Sequence, residues 1–124
     1  MALILIVDDD EAVRGVATDF LERAGHEVRQ AADGNECLKQ IGLVSPEVLI
    51  IDIVMPEQSG LRTIDHLVKA SAELKILAIS GGGSLLNSGD YLSLALSVGA
   101  HGTLQKPFSG ADLCAAVDAL LESR

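Results

Sequence analysis

Aromatic side chains are nearly missing from this sequence: 124 residues hold no tryptophan, one tyrosine and two phenylalanines. A core must therefore be packed from Leu, Ile, Val and Ala. Basic side chains are scarce too. Nine Lys and Arg against eighteen Asp and Glu leave a formal charge of −9, which argues against non-specific binding to nucleic acid or an anionic membrane, both polyanions. No apolar run approaches membrane-spanning length, and no charged leader precedes an apolar stretch of secretory type. The only cysteines, Cys37 and Cys114, lie far apart in helix-like segments. A reduced, buried pair fits a cytoplasmic protein. Internal repeats, linkers and low-complexity tails are absent, so residues 1–124 read as one domain with a single core and no output domain.

Five β-rich runs are present: Leu3–Val7, Glu27–Ala31, Val48–Ile53, Lys75–Ser80 and Thr103–Gln105. Helical periodicity fills the gaps between them. Val13, Val16, Ala17, Phe20, Leu21 and Ala24 make one stripe, with Gly25 placed to end that helix. Asp33 with Glu36 three residues later has the form of a capping box. Leu61, Ile64, Leu67 and Val68 make a further stripe, and Leu113, Ala116, Val117 and Leu120 the last. Strand alternating with helix predicts an α/β fold, a parallel sheet with right-handed crossovers and helices on both faces. The first and third runs are apolar almost throughout, as strands covered on both faces should be. The second alternates and carries charge, which suits an edge. These clues favour a doubly wound sheet of order 2-1-3-4-5, whose crevice opens at the carboxyl ends of strands 1 and 3.

Those carboxyl ends carry the polar residues. The first run ends in Asp8-Asp9-Asp10, the third in Asp52, the fourth in Ser80, and the fifth leads into Lys106-Pro107. Two like charges ~5 Å apart at an effective dielectric of ~20 repel by about 3 kcal/mol. Such a cluster needs a counter-ion. A hard divalent cation takes oxygen ligands, commonly one or two carboxylates with a phosphoryl oxygen. Lys106 adds a second positive charge and Ser80 a hydroxyl. This is an inventory for phosphoryl transfer, with Asp52 as the natural nucleophile.

In order and spacing, "ILIVDDDEAVR", "AADGNECL", "PEVLIIDIVMPEQSGL", "ILAIS" and "GAHGTLQKPF" resemble the receiver domain of two-component response regulators, including stand-alone chemotaxis-type receivers. The resemblance runs from about residue 2 to the C-terminus. It implies a flavodoxin-like five-stranded sheet with five helices. It also implies that Asp52 is phosphorylated by a histidine kinase or histidine phosphotransfer protein. Asp9, Asp52 and the backbone carbonyl of Val54 would hold Mg²⁺, with Asp8 acting mainly through water and Mn²⁺ able to substitute. Asp10 is not assigned to the metal. Ser80 and Lys106 would bind the phosphoryl oxygens and couple them to a conformational change, a cis Lys106-Pro107 peptide would aim the lysine, and Gly60 would be structural.

The sequence also departs from that family. Thr103 stands where an aromatic switch residue is usual, so transmission must use something smaller. Val54 and Gly82 occupy positions that help set dephosphorylation, and neither side chain can orient a water. A longer-lived phosphoryl-aspartate than in fast chemotaxis-type receivers is expected. "GGGSLLNSG", residues 81–89, lacks the Gly-Lys-Ser/Thr ending of a P-loop and reads as a loop lengthening the path from Ser80 to Lys106.

In "DYLSLALSVGA", Leu92, Ala95, Leu96 and Gly99 are expected to face inward, with Leu94 and Val98 off that face. Hydrophobicity nearly all round predicts a covered surface. Leu92, Leu94, Leu96 and Leu104 are candidates for a partner face or a homodimer through helix 4, strand 5 and helix 5. His26, His66 and His101 lack ligand spacing and read as ordinary histidines, while Asp112, Asp118 and Glu122 read as solvated. The chain is expected not to be an enzyme, beyond assisting its own phosphotransfer and autodephosphorylation. Two other functions stay open: a phosphorylation-independent docking module, and a haloacid-dehalogenase-like phosphatase. The latter would carry the phosphoryl group on Asp8, but wants Thr or Val where Ala12 stands.

Overall fold

The computed structural model describes residues 2–54, 60–71, 73–81 and 88–122. Strands β1 (Leu3–Val7), β2 (Glu27–Ala31), β3 (Val48–Asp52), β4 (Lys75–Ser80) and β5 (Gly102–Gln105) alternate with helices α1 (Glu11–Arg23), α2 (Gly34–Val44), α3 (Gly60–Ala70), α4 (Ser88–Val98) and α5 (Gly110–Glu122). All strand pairs are parallel, in the expected order β2-β1-β3-β4-β5. Gly102 extends β5 by one residue and Ile53 falls outside β3.

Alternation along the inner strands builds two cores. Leu5, Val7, Leu49, Ile51, Ile76 and Ala78 point to the layer of α2, α3 and α4. Their neighbours Ile4, Ile6, Val48, Ile50, Leu77 and Ile79 point to α1 and α5, where Ala17, Leu21, Leu113, Val117 and Leu120 meet them. Every residue of β3 is buried, whereas β2 is largely exposed, as befits a centre and an edge. The site's scaffold is thus aliphatic. Each fully buried Leu or Ile contributes about 1.5–3 kcal/mol.

Helix ends follow the expected chemistry. Asp33 Oδ1 accepts from Glu36 N, and Glu36 reaches back to Ala32 N, one residue before the cap. Gly25, at φ +96°, follows the last turn of α1. Asp112 is more than a solvated charge. Its carboxylate accepts from Ser109 N while Ser109 Oγ accepts from Asp112 N, a capping box that starts α5.

Two helical faces differ from expectation. On α1 only Ala17 and Leu21 are fully buried, and Val16 and Phe20 are exposed. The Phe20 ring lies over Gly110, where a Cβ would collide with it, so this ring covers the start of α5. On α4, Ala95 is buried and Leu92 and Val98 pack against the core, but Leu96 faces out with Leu94. Ala95 marks the buried face, and at about 100° per residue Val98 lies roughly 60° from it and Leu96 roughly 100°. Gly99 adopts φ +119° so close to Val68 of α3 that a Cβ would lie 2.7 Å from Val68 Cγ2. That approach packs the end of α4 against α3. Cys37 is buried, Cys114 only half-buried, and both are free thiols. Burial, then the nearby Asp33, pushes the Cys37 thiol up to about 12, so it is unreactive at neutral pH. No helix among the described residues is long and apolar enough to cross a membrane.

Candidate phosphoacceptor site

Register brings the acidic residues together. Val7 pairs with Ile51, so Asp8 and Asp52 lie level at the ends of adjacent central strands. Asp52 pairs in turn with Ile79, which puts Ser80 one residue beyond. Beyond β5, Lys106 N donates to Ser80 O at 2.8 Å, and this bond carries the lysine to the same edge. The Lys106-Pro107 peptide is cis.

The lysine ammonium is shared. Lys106 Nζ lies 2.8 Å from Asp8 Oδ2 and 2.9 Å from Asp52 Oδ2. The other oxygen of each carboxylate accepts a backbone N–H two residues on: Asp8 Oδ1 from Asp10 N at 2.9 Å, and Asp52 Oδ1 from Val54 N at 2.8 Å. Both aspartates are buried, at 0% and 4% exposure, so neither charge can rely on bulk water. Burial is the largest influence on Asp52 and raises its pKa, outweighing the lowering by Lys106 and the Val54 N–H; Asp8 adds a further raising contribution. For Lys106 burial pulls down, but the hydrogen bonds and charges of Asp8 and Asp52 outweigh it and the pKa is raised. The lysine charge is thus stabilised by the pair, while burial still governs Asp52.

The three opening aspartates have separate roles. Asp8 belongs to the ion pair. Asp10 is the N-cap of α1, accepting from Ala12 N and Val13 N, which explains why it is not a metal candidate. Asp9 is exposed, and its carboxylate joins those of Asp8 and Asp52 in a cluster with one oxygen from each within 4.8 Å of the others. An all-oxygen donor set with one side open to water suits a hard cation such as Mg²⁺ or Mn²⁺.

Ser80 is fully buried, and among the described residues its hydroxyl makes one long bond, 3.4 Å to Gly81 O. Gly60 is needed on steric grounds: a Cβ there would lie 2.5 Å from Asp52 O. Thr103, half-buried on β5 beside Ala78, puts a small side chain where a ring was expected to be missing. Gly82 and most of the 81–89 loop lie outside the described residues. Among the leucines considered for a partner face, Leu94 and Leu96 are exposed, while Leu92 and Leu104 pack partly into the two cores.

Sequence reasoning passed over Arg14, whose Nη1 donates to the backbone carbonyl of Asp8 at 2.6 Å. A lone arginine one turn into a helix carries no pattern that would single it out. It also left His26 and His101 without roles. Their Nδ1 atoms accept from Ala2 N and Ile76 N at the amino ends of the outer strand pairs, far from Asp52. A cavity of about 840 Å³, lined by residues including Ser45, Glu47, Glu73 and Lys75, also lies at that amino end. It takes no part in the carboxylate chemistry.

The model of the response regulator receiver domain matches residues 4–118. Among curated proteins, the DNA-binding transcriptional regulator NtrC of Azospirillum brasilense is 34% identical over 122 residues, covering 98% of this chain and 24% of that protein. The alkaline phosphatase synthesis transcriptional regulatory protein PhoP of Bacillus subtilis is 30% identical over 95% of this chain and 48% of its own length. The chain therefore spans about a quarter to a half of these relatives. Among solved structures, the receiver domain of NtrX from Brucella abortus superposes with a TM-score of 0.90 at 30% identity, covering 98% of this chain and 99% of that one. The chemotaxis protein CheY4 of Vibrio cholerae gives 0.86 at 30% identity, covering 97% and 98%. Strand order, the buried carboxylates with their shared lysine, and these similarities agree, and the chain belongs to the response regulator receiver family.

Proposed function

We propose that this chain is the phosphoacceptor of a two-component relay, with Asp52 taking the phosphoryl group from a phosphohistidine of a kinase or phosphotransfer protein. The observation that carries the reading is the Asp52 carboxylate: buried, held by Val54 N–H on one oxygen and by Lys106 on the other, inside a three-carboxylate cluster. A carboxylate oxygen of Asp52 attacks phosphorus, the P–N bond to the donor imidazole breaks, and that imidazole leaves with the electron pair and takes a proton. The product is an acyl phosphate on Asp52. A donor from outside fits the positions of His26 and His101, which serve the opposite end of the sheet.

Each side chain has a part. Lys106 has three N–H donors, two directed at Asp8 and Asp52, and the third is available to a phosphoryl oxygen. The Ser80 hydroxyl, whose bond to Gly81 O is long, can exchange that carbonyl for a phosphoryl oxygen. Asp8, Asp9, Asp52 and the Val54 carbonyl would hold Mg²⁺, which when bound supplies charge neutralisation for the incoming phosphoryl group. Movement of Ser80 would pass to the connection before α4. The exposed Leu94 and Leu96 make the α4 side the surface through which a protein target or a second copy would read it. Transmission through Thr103 involves no ring. In this reading the chain is a signalling acceptor rather than an enzyme and works in the cytoplasm, where Cys37 and Cys114 remain thiols.

The test is intact-mass analysis after incubation with acetyl phosphate, with and without Mg²⁺, beside Asp52→Asn. A gain of one phosphoryl group that requires both Mg²⁺ and Asp52 supports the proposal. A folded, Mg²⁺-binding protein with no gain would favour a phosphorylation-independent docking module. A gain that survives Asp52→Asn but not Asp8→Asn would favour the phosphatase-like chemistry.

A further inference from the structure

Every polar atom of Asp8 has a partner. Its N–H donates to Ala31 O of β2, Oδ1 accepts from Asp10 N, and Oδ2 from Lys106. The remaining atom, the carbonyl oxygen, accepts from Arg14 Nη1 at 2.6 Å. Arg14 is itself held. Its Nε donates to Gln30 Oε1 at 3.2 Å, and Gln30 Nε2 donates to Thr18 Oγ1 at 3.0 Å. The chain Thr18–Gln30–Arg14 thus links α1 to edge strand β2 and ends on the Asp8 carbonyl.

That carbonyl belongs to the planar peptide joining Asp8 to Asp9. Fixing it fixes the plane from which Asp9 departs. Asp9 needs such control, because it is the exposed member of the carboxylate cluster and its side chain makes no hydrogen bond among the described residues. We propose that Arg14, anchored through Gln30 to Thr18, is a positioning residue that sets the Asp8–Asp9 peptide and so presents Asp9 to the divalent cation. The proposal rests on the reading of the cluster as a Mg²⁺ site.

Positioning and simple charge predict opposite signs. Arg14 is a cation beside an acidic cluster, so its removal on charge grounds alone should tighten Mg²⁺ binding. As a positioning residue, its loss should weaken binding, as loss of groups that orient metal ligands does. The experiment is calorimetric titration of the full chain with Mg²⁺ for the native protein, Arg14→Met and Gln30→Leu, with amide exchange at Asp10 measured in the metal-free proteins. Gln30→Leu keeps the arginine charge, and its exposed place on the edge strand makes it the variant that should fold if Arg14→Met does not. The expected result is about tenfold weaker Mg²⁺ binding in both variants and faster Asp10 exchange before any metal is added. Tighter or unchanged binding in Arg14→Met, or native affinity and exchange in Gln30→Leu, would overturn the proposal. Native protein that binds Mg²⁺ yet takes no phosphoryl group would sink the phosphoacceptor reading while leaving this comparison readable.

Discussion

Lys106 and Asp52, fifty-four residues apart in the chain, meet at 2.9 Å, and the same ammonium holds Asp8 at 2.8 Å. In the metal-free protein this lysine is the counter-charge for two buried carboxylates. Its removal leaves Asp8 and Asp52 facing each other in a poorly solvated site. Lys106→Met should destabilise the metal-free protein by about 3 kcal/mol, the low end for breaking a buried pair, because the lysine side chain keeps 22% exposure. Urea denaturation with and without Mg²⁺ checks this. Mg²⁺ should stabilise the variant more than it stabilises the native protein.

The raised pKa of Asp52 has a definite pH signature. Its folded form holds a proton more tightly than the unfolded chain, whose value is near 3.8, so stability falls as pH rises from there through the folded value. Asp52→Asn removes that titration. The variant's stability advantage over the native protein, without metal, should be small below pH 3.8 and grow to a plateau above the folded value. Denaturation curves across this range give the answer. An advantage that shrinks with rising pH would show that Lys106, not burial, governs Asp52. The Lys106 contribution runs differently: its raised pKa keeps that stabilisation whole below 10.5 and loses it as pH rises through the folded value.

His101 reports on the other end of the sheet. Burial first, and the charge of Lys75 second, lower its pKa from 6.5, and a protonated Nδ1 could no longer accept from Ile76 N. The unfolded chain therefore takes up the proton first as pH drops. Stability should decline from pH 6.5 down through the folded value, and His101→Gln should flatten that part of the profile. Thermal melts at successive pH values measure it.

Gly60 admits almost no change. With Asp52 O 2.5 Å from the position of a Cβ, Gly60→Ala must push the start of α3 away from the end of β3. A loss of about 3 kcal/mol is expected. The displacement would also reach the Asp52 backbone. Phosphorylation by acetyl phosphate should slow even at temperatures where the variant remains folded, and a native rate there would show that the site tolerates the shift.

Dephosphorylation depends on what can hold a water near Asp52. Val54, two residues on, presents an exposed aliphatic side chain with no hydrogen-bonding group. The aspartyl phosphate should accordingly persist well beyond seconds in Mg²⁺, and Val54→Asn, which gives a water both a donor and an acceptor, should shorten it several-fold. Decay followed by intact mass is the measurement. A native lifetime of seconds would contradict the expectation.

Strand alternation, the edge character of β2, the caps at Asp33 and Gly25, and the convergence of Asp8, Asp52, Ser80 and Lys106 were all legible in the sequence. Each is written locally: a period, a cap, or a polar residue ending an apolar run, and parallel topology then brings the strand ends to one edge. Tertiary structure decided what local pattern cannot encode. A leucine on α4 looks alike whether covered or exposed, and only the burial of Ala95 against the core put Val98 on the covered side and Leu96 on the open one. Asp8, Asp9 and Asp10 are chemically identical, and only the positions of Lys106, the open cluster and the α1 N-terminus made them an ion pair, a metal candidate and a cap. Arg14 could be understood only once β2 lay beside α1, because its partners are a backbone carbonyl and the side chain of Gln30, which no sequence period places next to it.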